Sequence, residues 1–308
     1  MPPALRVAPE VEAAVAAGAP VVALESTVFS RLGLPGPAGK EALRRSVDTV
    51  AAGGALPALT AVLDGVARVG VGEAEFEAVL SAGRKAGERD LPVAVAQRWP
   101  AAGTTVSASL ALAAAAGVPV FATGAIGGVH RDWARTGDES ADLIALARHP
   151  VVTVCAGAKS FLDLGRTLER LETLGVPVIG LVTDEFPAFY SRRSGLPVPH
   201  RVASAEEAAE VVRAARALGH RGGLLFAAPV PEAEEVPYAE VEPIVVSALE
   251  EAAAAGVTGG AVTPYVLDRV AAGTDGRSVA ANVALVADNA RWAAALARAL
   301  SSNSQRFL

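Results

Sequence analysis

Short, continuous apolar runs alternate with longer alanine-rich runs along most of this 308-residue chain, and the alternation constrains its fold more than any other feature. Strands of unbroken apolar character are typical of a sheet that helices cover on both faces. The pattern therefore predicts an α/β protein, a three-layer α/β/α sandwich around a mostly parallel sheet. The predicted strands span residues 21–24, 59–62, 93–96, 118–123, 151–155, 178–183 and 223–227, and the predicted helices include residues 40–52, 105–116, 142–148, 161–174 and 205–218.

Beyond Pro231 the pattern changes to helices alone. Residues 238–255 and 278–300 form two predicted helices. Between them lies a third, with Thr263 as its N-cap and Pro264 at its first position. We expect a C-terminal helical segment packed on the same sheet, and we predict one domain over residues 1–308.

Composition excludes several classes of protein. A formal net charge of -6 would repel a phosphate backbone, so nucleic acid is not an expected partner. The one cysteine, Cys155, cannot form an intrachain disulfide, which fits a reducing compartment. The N-terminus lacks the basic start and apolar core of a signal peptide, and glycine and proline interrupt the longest apolar tract, residues 110–129. We expect a soluble cytoplasmic protein with no membrane partner.

Lysine is scarce. It occurs only at positions 40, 85 and 159, and all the other basic residues among the 27 are arginines. A guanidinium cannot replace an amine that must lose its proton and act as a nucleophile, so a retained lysine is a candidate for chemistry. Lys40 lies in an amphipathic helical stretch and fits an ordinary surface residue. Lys85 and Lys159 remain candidates.

Two candidates follow the ends of predicted strands, where ligands of open α/β sheets bind. Glu25 follows the strand at 21–24. Burial there would raise the pKa of its carboxyl group and suit a general acid, although a helix cap is an equal alternative. Lys159 follows the strand at 151–155 in apolar surroundings that favour a nucleophilic amine, or it pairs with Asp163 one helical turn on. The turn lacks the glycines of a P-loop, which excludes nucleotide binding of that kind.

Two glycine-containing turns could bring backbone N–H groups to an anion. Residues 124–131 hold clustered glycines after a predicted strand, followed by His130 and Arg131. Residues 103–105 open a predicted helix. Either turn is equally well explained as a plain structural turn.

Carboxylates at 138–142 stand at the start of the helix that precedes the strand at 151–155. They are helix caps or ligands of a hard ion such as Mg²⁺ or Mn²⁺ rather than zinc. Asn282 lies inside a predicted helix. It is either a satisfied polar group or an amide that orients a ligand.

Taken together, these stretches resemble the pseudouridine-5′-phosphate glycosidase family, also called the indigoidine synthase A-like family. The resemblance covers nearly the whole chain through the blocks VVALEST, RDLP, FATGAIGGVHR, ESADL, VCAGAKSFLDLG, GVPVIG, EFPAFYSRRSG and TPYVLDRV. It implies an α/β/α fold, a homotrimer, a divalent manganese ion and an enzyme. The implied reaction is the reversible cleavage of the C1′–C5 glycosidic bond of pseudouridine 5′-phosphate to uracil and ribose 5-phosphate.

The resemblance also implies roles for individual residues. Glu25 would donate a proton to uracil, Lys159 would form a covalent adduct with C1′ of the opened ribose, and Asp138 would hold the metal. The residues implied to contact the sugar phosphate or line its pocket are Lys85, Val106, His130, Ser140, Ala141, Asp142 and Asn282.

Two stretches depart from the family pattern. Ala228 stands where the family usually has asparagine, and residues 97–102 are one residue longer than usual, with an unusual Trp99-Pro100 pair. These departures concern base contacts and loop geometry more than the acid, the nucleophile or the metal ligand.

Other functions are compatible with the residues. A phosphosugar lyase or aldolase could use an iminium on Lys159, and a sugar-kinase-like protein could share the fold, because fold alone does not decide function. A non-catalytic binding protein would keep every measured function in a Lys159→Ala variant.

Overall fold

The computed structural model describes residues 4–34 and 36–302. Its strands are β1 Leu5–Val7, β2 Val21–Leu24, β3 Leu56–Leu63, β4 Val66–Val69, β5 Lys85–Ala86, β6 Ala101–Thr104, β7 Val120–Ala122, β8 Val129–His130, β9 Val152–Cys155, β10 Leu162–Asp163, β11 Val178–Leu181, β12 His200–Val202 and β13 Leu224–Ala227. All but β8 and β10 belong to one 11-stranded sheet, whose main path runs β1-β4-β3-β2-β7-β9-β13-β11-β12. The two others form a separate antiparallel pair.

The body of the sheet is parallel. Every neighbouring pair from β3 to β12 along the main path runs in the same direction. The second half of β3 pairs antiparallel with β4 and with β6, which adds a smaller antiparallel region at that side. The prediction of a mostly parallel sheet is therefore confirmed.

Helices cover both faces of the sheet. They are α1 Pro9–Ala16, α2 Pro37–Ala52, α3 Phe76–Leu80, α4 Leu91–Ala96, α5 Val106–Ala115, α6 Trp133–Thr136, α7 Ala141–Arg148, α8 Leu164–Thr173, α9 Ala205–Ala217, α10 Tyr238–Ala254, α11 Val262–Gly273 and α12 Arg277–Ser301. The last of these, α12, lies across β2, β7 and β9 with α2 and α9 beside it. Helix α5 packs on β2 and β7 from the other side, with α7 next to it. This is the predicted three-layer α/β/α arrangement.

One predicted strand is wrong. Residues 93–96 form the end of α4, not a strand. Pro92 stands in the first turn of this helix, where its fixed φ favours helix and its missing N–H costs nothing. Ala94 is buried whereas Val93 is 43% exposed, so the run buries one helical face rather than both faces of a strand.

The C-terminal segment is helical as predicted, but the start of α11 differs. The helix begins at Val262 after a 3₁₀ turn at Gly259–Ala261, so Thr263 is inside it and does not cap it. Pro264 is tolerated because the first N–H groups of a helix have no intrahelical partner. Among the described residues, no helix combines the length and apolar character that crossing a bilayer requires.

Candidate active site

An open cleft of about 630 Å³ lies beyond the carboxyl ends of β2 and β9, the edge at which parallel sheets bind ligands. Both strands pair with β7, which lies between them. The structure brings nearly all of the candidate residues to this cleft. Those that line it are Glu25, Lys85, Val106, His130, Asp138, Ser140, Ala141, Asp142 and Lys159.

Glu25 provides a carboxyl group on one side of the cleft. It directly follows β2 and is only 7% exposed. Burial raises its pKa from 4.5 to about 7, although the Lys159 ammonium and the Thr123 hydroxyl, which donates a hydrogen bond to the carboxylate, oppose the rise. The carboxylate bonds to a side chain at the end of β7, so it does not act as a helix cap. A carboxylic acid titrating near neutral pH suits proton transfer.

Lys159 provides an amine to the same cleft. It is half-buried and lies in the loop between β9 and β10. Its backbone is fixed on both sides, because its N–H donates to the Ile126 carbonyl at 3.2 Å and its carbonyl accepts from the Leu162 N–H at 3.0 Å. Asp163 caps α8 and pairs with Arg166 at 3.3 Å, so it is not the partner of Lys159.

The Asp142 carboxylate binds to backbone N–H groups at both of the predicted anion-binding sites. One of its carboxylate oxygens accepts a hydrogen bond from the Ser107 N–H, in the first turn of α5, and the other accepts from the Gly127 N–H, each at 2.9 Å. A Cβ at Gly127 would lie 2.8 Å from the Asp142 carboxylate, so glycine is required for this approach. The turns therefore bind an internal carboxylate and thereby hold the start of α7, where the Ser140 side chain caps the helix, against the cleft.

Lys85 stands at the rim of the cleft on β5. Its ammonium donates a hydrogen bond to the Gly260 carbonyl at 3.0 Å, in the turn before α11. Much of the side chain meets solvent, but partial burial of the amine and the nearby Lys159 ammonium lower its pKa. The turn before α11 thus covers one end of the cleft.

His130 and Asp138 also line the cleft and approach each other there. The His130 Nε2 and an Asp138 carboxylate oxygen are 3.9 Å apart. In addition, the backbone N–H of His130 donates a hydrogen bond to the backbone carbonyl of Asp138 at 3.1 Å. Within residues 4–34 and 36–302, no three His, Cys, Asp or Glu side chains are grouped as a metal site. Asp138, the predicted metal ligand, thus lines the cleft without a second and third side chain of this kind grouped with it in the part of the chain that the structure describes.

Asn282 is the one predicted site residue outside the cleft lining. It lies on α12, is 4% exposed, and its side chain faces Gly124 after β7. Its Oδ1 has no hydrogen-bond partner among the described residues. The departures from the family pattern also lie outside the lining: Ala228 is fully buried after β13, and residues 97–100 pack beside the turn between β3 and β4.

Thr123 is not among the predicted site residues. The sequence predicts it only as the end of a strand, whereas its hydroxyl donates a hydrogen bond to the Glu25 carboxylate. A hydroxyl at the carboxyl end of a central strand, level with Glu25 on the neighbouring strand, is the signal that could have identified it. The register of β2 and β7, with Leu24 opposite Ala122, places the two side by side.

Comparison with known proteins identifies relatives over almost the entire chain. Residues 10–299 match the model of the family described as indigoidine synthase A like protein. The chain is 51% identical over 300 residues to the pseudouridine-5′-phosphate glycosidase of Methylobacterium nodulans, covering 97% of this chain and 88% of that protein. It is 47% identical over 304 residues to the pseudouridine-5′-phosphate glycosidase of Myxococcus xanthus, covering 97% and 99%.

Solved structures show the same fold. The prealnumycin C-glycosynthase AlnA, crystallised in complex with ribulose 5-phosphate, superposes with a TM-score of 0.89 at 34% identity over 98% of both chains. An indigoidine synthase A-like protein from Thermotoga maritima superposes with a TM-score of 0.86 at 35% identity over 96% of both chains. This chain belongs to the indigoidine synthase A-like family.

Proposed function

We propose that this chain is a pseudouridine-5′-phosphate glycosidase, which reversibly converts pseudouridine 5′-phosphate and water to uracil and ribose 5-phosphate. One observation carries the proposal: a buried carboxyl group with a pKa of about 7, Glu25, and an amine, Lys159, line one cleft. The relatives that carry this activity in their names are about half identical to the chain over nearly its full length.

The two groups supply what cleavage of a carbon–carbon glycosidic bond needs. The Lys159 amine attacks C1′, the C1′–O4′ bond breaks to open the sugar, and the proton that the nitrogen loses goes to O4′. Glu25 then delivers a proton to C5 of the base. The C1′–C5 bond breaks, its electron pair restores neutral uracil, and C1′ remains as an iminium on Lys159. Water hydrolyses the iminium, which releases ribose 5-phosphate and the free amine and returns one proton to the Glu25 carboxylate.

We also propose that the enzyme binds a divalent metal ion, Mn²⁺ or another divalent cation. Asp138 would hold it, with water as the other ligands, and the ion would supply positive charge for the polar groups of the substrate. Titration of the chelated protein with Mn²⁺, followed by calorimetry, should give one site per chain that Asp138→Asn loses. Binding that survives this substitution would contradict the assignment.

We also propose a homotrimer in the cytoplasm. The single cysteine, Cys155, is buried and suits a reducing compartment. Sedimentation equilibrium should give three times the 31.1 kDa chain mass. A monomer or dimer at micromolar concentration would contradict the trimer.

The function is tested by incubating the protein with pseudouridine 5′-phosphate and measuring uracil by chromatography. Unphosphorylated pseudouridine and uridine 5′-phosphate are the matched controls, because one lacks the phosphate and the other has a carbon–nitrogen bond. Uracil from pseudouridine 5′-phosphate alone supports the proposal. Cleavage of other phosphosugars instead would support the lyase or aldolase alternative, and phosphorylation of pseudouridine with ATP would support the kinase-like one.

Borohydride reduction in the presence of ribose 5-phosphate tests the covalent step. Mass spectrometry should find the reduced sugar adduct on Lys159 and not on Lys40, which pairs with Glu77 at the surface. An adduct on another residue would contradict the assignment of the nucleophile.

A further inference from the structure

A partly buried fork of hydrogen bonds contacts the loop that carries Lys159. It is made by Arg131, which follows β8. Its guanidinium donates to both carboxylate oxygens of Glu242 on α10, at 2.6 and 2.8 Å, and to the Ser160 carbonyl at 2.8 Å. Arg131 does not line the cleft, so it does not meet the substrate directly.

The fork meets the general requirements of a rigid support. Arginine presents several donors in one plane, and a bidentate pair with a carboxylate fixes that plane. The Arg131 and Glu242 side chains are only 27% and 29% exposed, so solvent competes little for these bonds. Partial burial lowers the pKa of Arg131, but the hydrogen bonds that its guanidinium donates to Glu242 outweigh this effect, raise the pKa and keep the group charged.

The bond to Ser160 completes the fixation of the peptide that carries Lys159. The Lys159 N–H is bound to Ile126 and its carbonyl to Leu162. The next carbonyl, that of Ser160, is bound to Arg131. Successive backbone groups of this loop are therefore held by the glycine turn after β7, by Leu162 in β10 and, through Arg131 and Glu242, by α10.

We propose that Arg131 and Glu242 are positioning residues that hold the Lys159 amine at its reactive place. This inference rests on the proposed function for the role of Lys159. Helix α10 thereby contributes to the reaction without touching the substrate. Loss of the fork would let the Lys159 loop move, and a displacement of about 1 Å costs up to about 100-fold in rate.

The same helix offers a matched control. Glu240, two residues before Glu242 on α10, pairs with Arg277 at the start of α12. Neither Glu240 nor Arg277 lines the cleft, and this pair is more exposed than the fork. Glu240→Gln therefore removes an ion pair of α10 and leaves the Lys159 loop untouched.

The test compares Arg131→Gln, Arg131→Lys and Glu242→Gln with Glu240→Gln. We expect the first three to lower kcat on pseudouridine 5′-phosphate roughly 10- to 100-fold with KM changed less than about twofold, because the amine is displaced while the binding residues stay. Arg131→Lys retains the charge but cannot form the fork, so it should not rescue kcat. Glu240→Gln should leave both constants within about twofold of the unmodified protein.

Hydrogen exchange provides a readout that does not depend on activity. Peptides that cover residues 159–162 should exchange faster in Arg131→Gln and Glu242→Gln but not in Glu240→Gln. Unchanged exchange in this loop, with only α10 or the melting temperature affected, would overturn the inference. Arg131 and Glu242 would then stabilise the fold without positioning Lys159. If the unmodified protein releases no uracil, the proposed function fails, and the exchange data alone decide whether the fork holds the loop.

Discussion

Glu25 and Lys159 face one cleft from the ends of two strands, β2 and β9, that flank the same central strand. The end of that strand bears Thr123, whose hydroxyl bonds to Glu25. The acid is thus fixed to the central strand, whereas the amine lies in the loop after β9, where backbone hydrogen bonds to Ile126 and Leu162 hold it.

Replacing Lys159 with alanine should remove turnover. Without the amine no adduct forms, so uracil release should fall at least about a thousandfold, as it does when a catalytic nucleophile is removed. Lys40→Ala is the control. Lys40 forms an exposed ion pair with Glu77 outside the cleft, and such a pair contributes little to stability. Uracil release measures the turnover of both variants, and thermal unfolding shows whether both remain folded. Full turnover by Lys159→Ala would contradict the mechanism.

The rate of cleavage should fall at alkaline pH. Cleavage needs protonated Glu25, so kcat/KM should fall about tenfold per pH unit above the pKa of about 7. The overall reaction releases no proton, so kcat/KM for synthesis should show the same alkaline limb. Profiles of both directions measure this. A kcat/KM for cleavage that does not fall above about pH 7 would contradict the assignment of Glu25 as the acid.

Thr123→Val should move the alkaline limb of cleavage to higher pH. The Thr123 hydroxyl stabilises the carboxylate and lowers its pKa, so its removal raises that pKa further. Thr173→Val, at the exposed end of α8, is the control. A shift to lower pH in Thr123→Val, or an equal shift in the control, would show that this bond does not tune Glu25.

Glu25 should destabilise the folded protein at high pH. Burial raises its pKa from 4.5 to about 7, so the folded chain keeps a proton that the unfolded chain releases. The stability that this proton contributes is fully present below about pH 4.5 and is lost as the pH rises through about 7. Relative to the unmodified protein, Glu25→Gln should therefore gain up to ~3 kcal/mol between about pH 5 and pH 8. Urea denaturation at both pH values measures it, and an equal difference at both would contradict it.

Gly260→Ala should weaken substrate binding. A Cβ at position 260 would lie 3.1 Å from the Lys85 amine and 3.2 Å from the carbon that bears it, so the lysine must shift. Gly72→Ala is the matched control, because its Cβ would meet nothing within 4 Å. We expect KM for pseudouridine 5′-phosphate to rise several-fold in Gly260→Ala only. Equal constants in both variants would show that Lys85 does not depend on this turn.

The sequence predicted the parallel sheet and the places of Glu25 and Lys159 because both depend on strand ends, and unbroken apolar runs mark strand ends well. The strand predicted at residues 93–96 is wrong because a four-residue apolar run of alanines and valines fits a strand or part of a helix equally well, and here it belongs to α4. The exposed face of the helix, which distinguishes the two, is set by tertiary packing.

Contacts between distant residues were not predictable in this way. Asp142 lies 35 positions from Ser107, and only folding shows that the predicted anion sites bind this carboxylate. Asn282 was expected in the pocket, but the direction of one side chain on a helix that is buried along most of its length cannot be read from periodicity. Thr123 gave no signal without the pairing of β2 and β7.

Helix α12 has a consequence for synthesis of the chain on the ribosome. Asn289 on this helix donates hydrogen bonds to the Thr123 and Gly124 carbonyls, and the helix covers the strands on both sides of them. A nascent polypeptide lacks that cover until residues 277–301 have left the ribosome. Fragments that stop short of α12 should therefore leave this edge of the sheet bare and release no uracil.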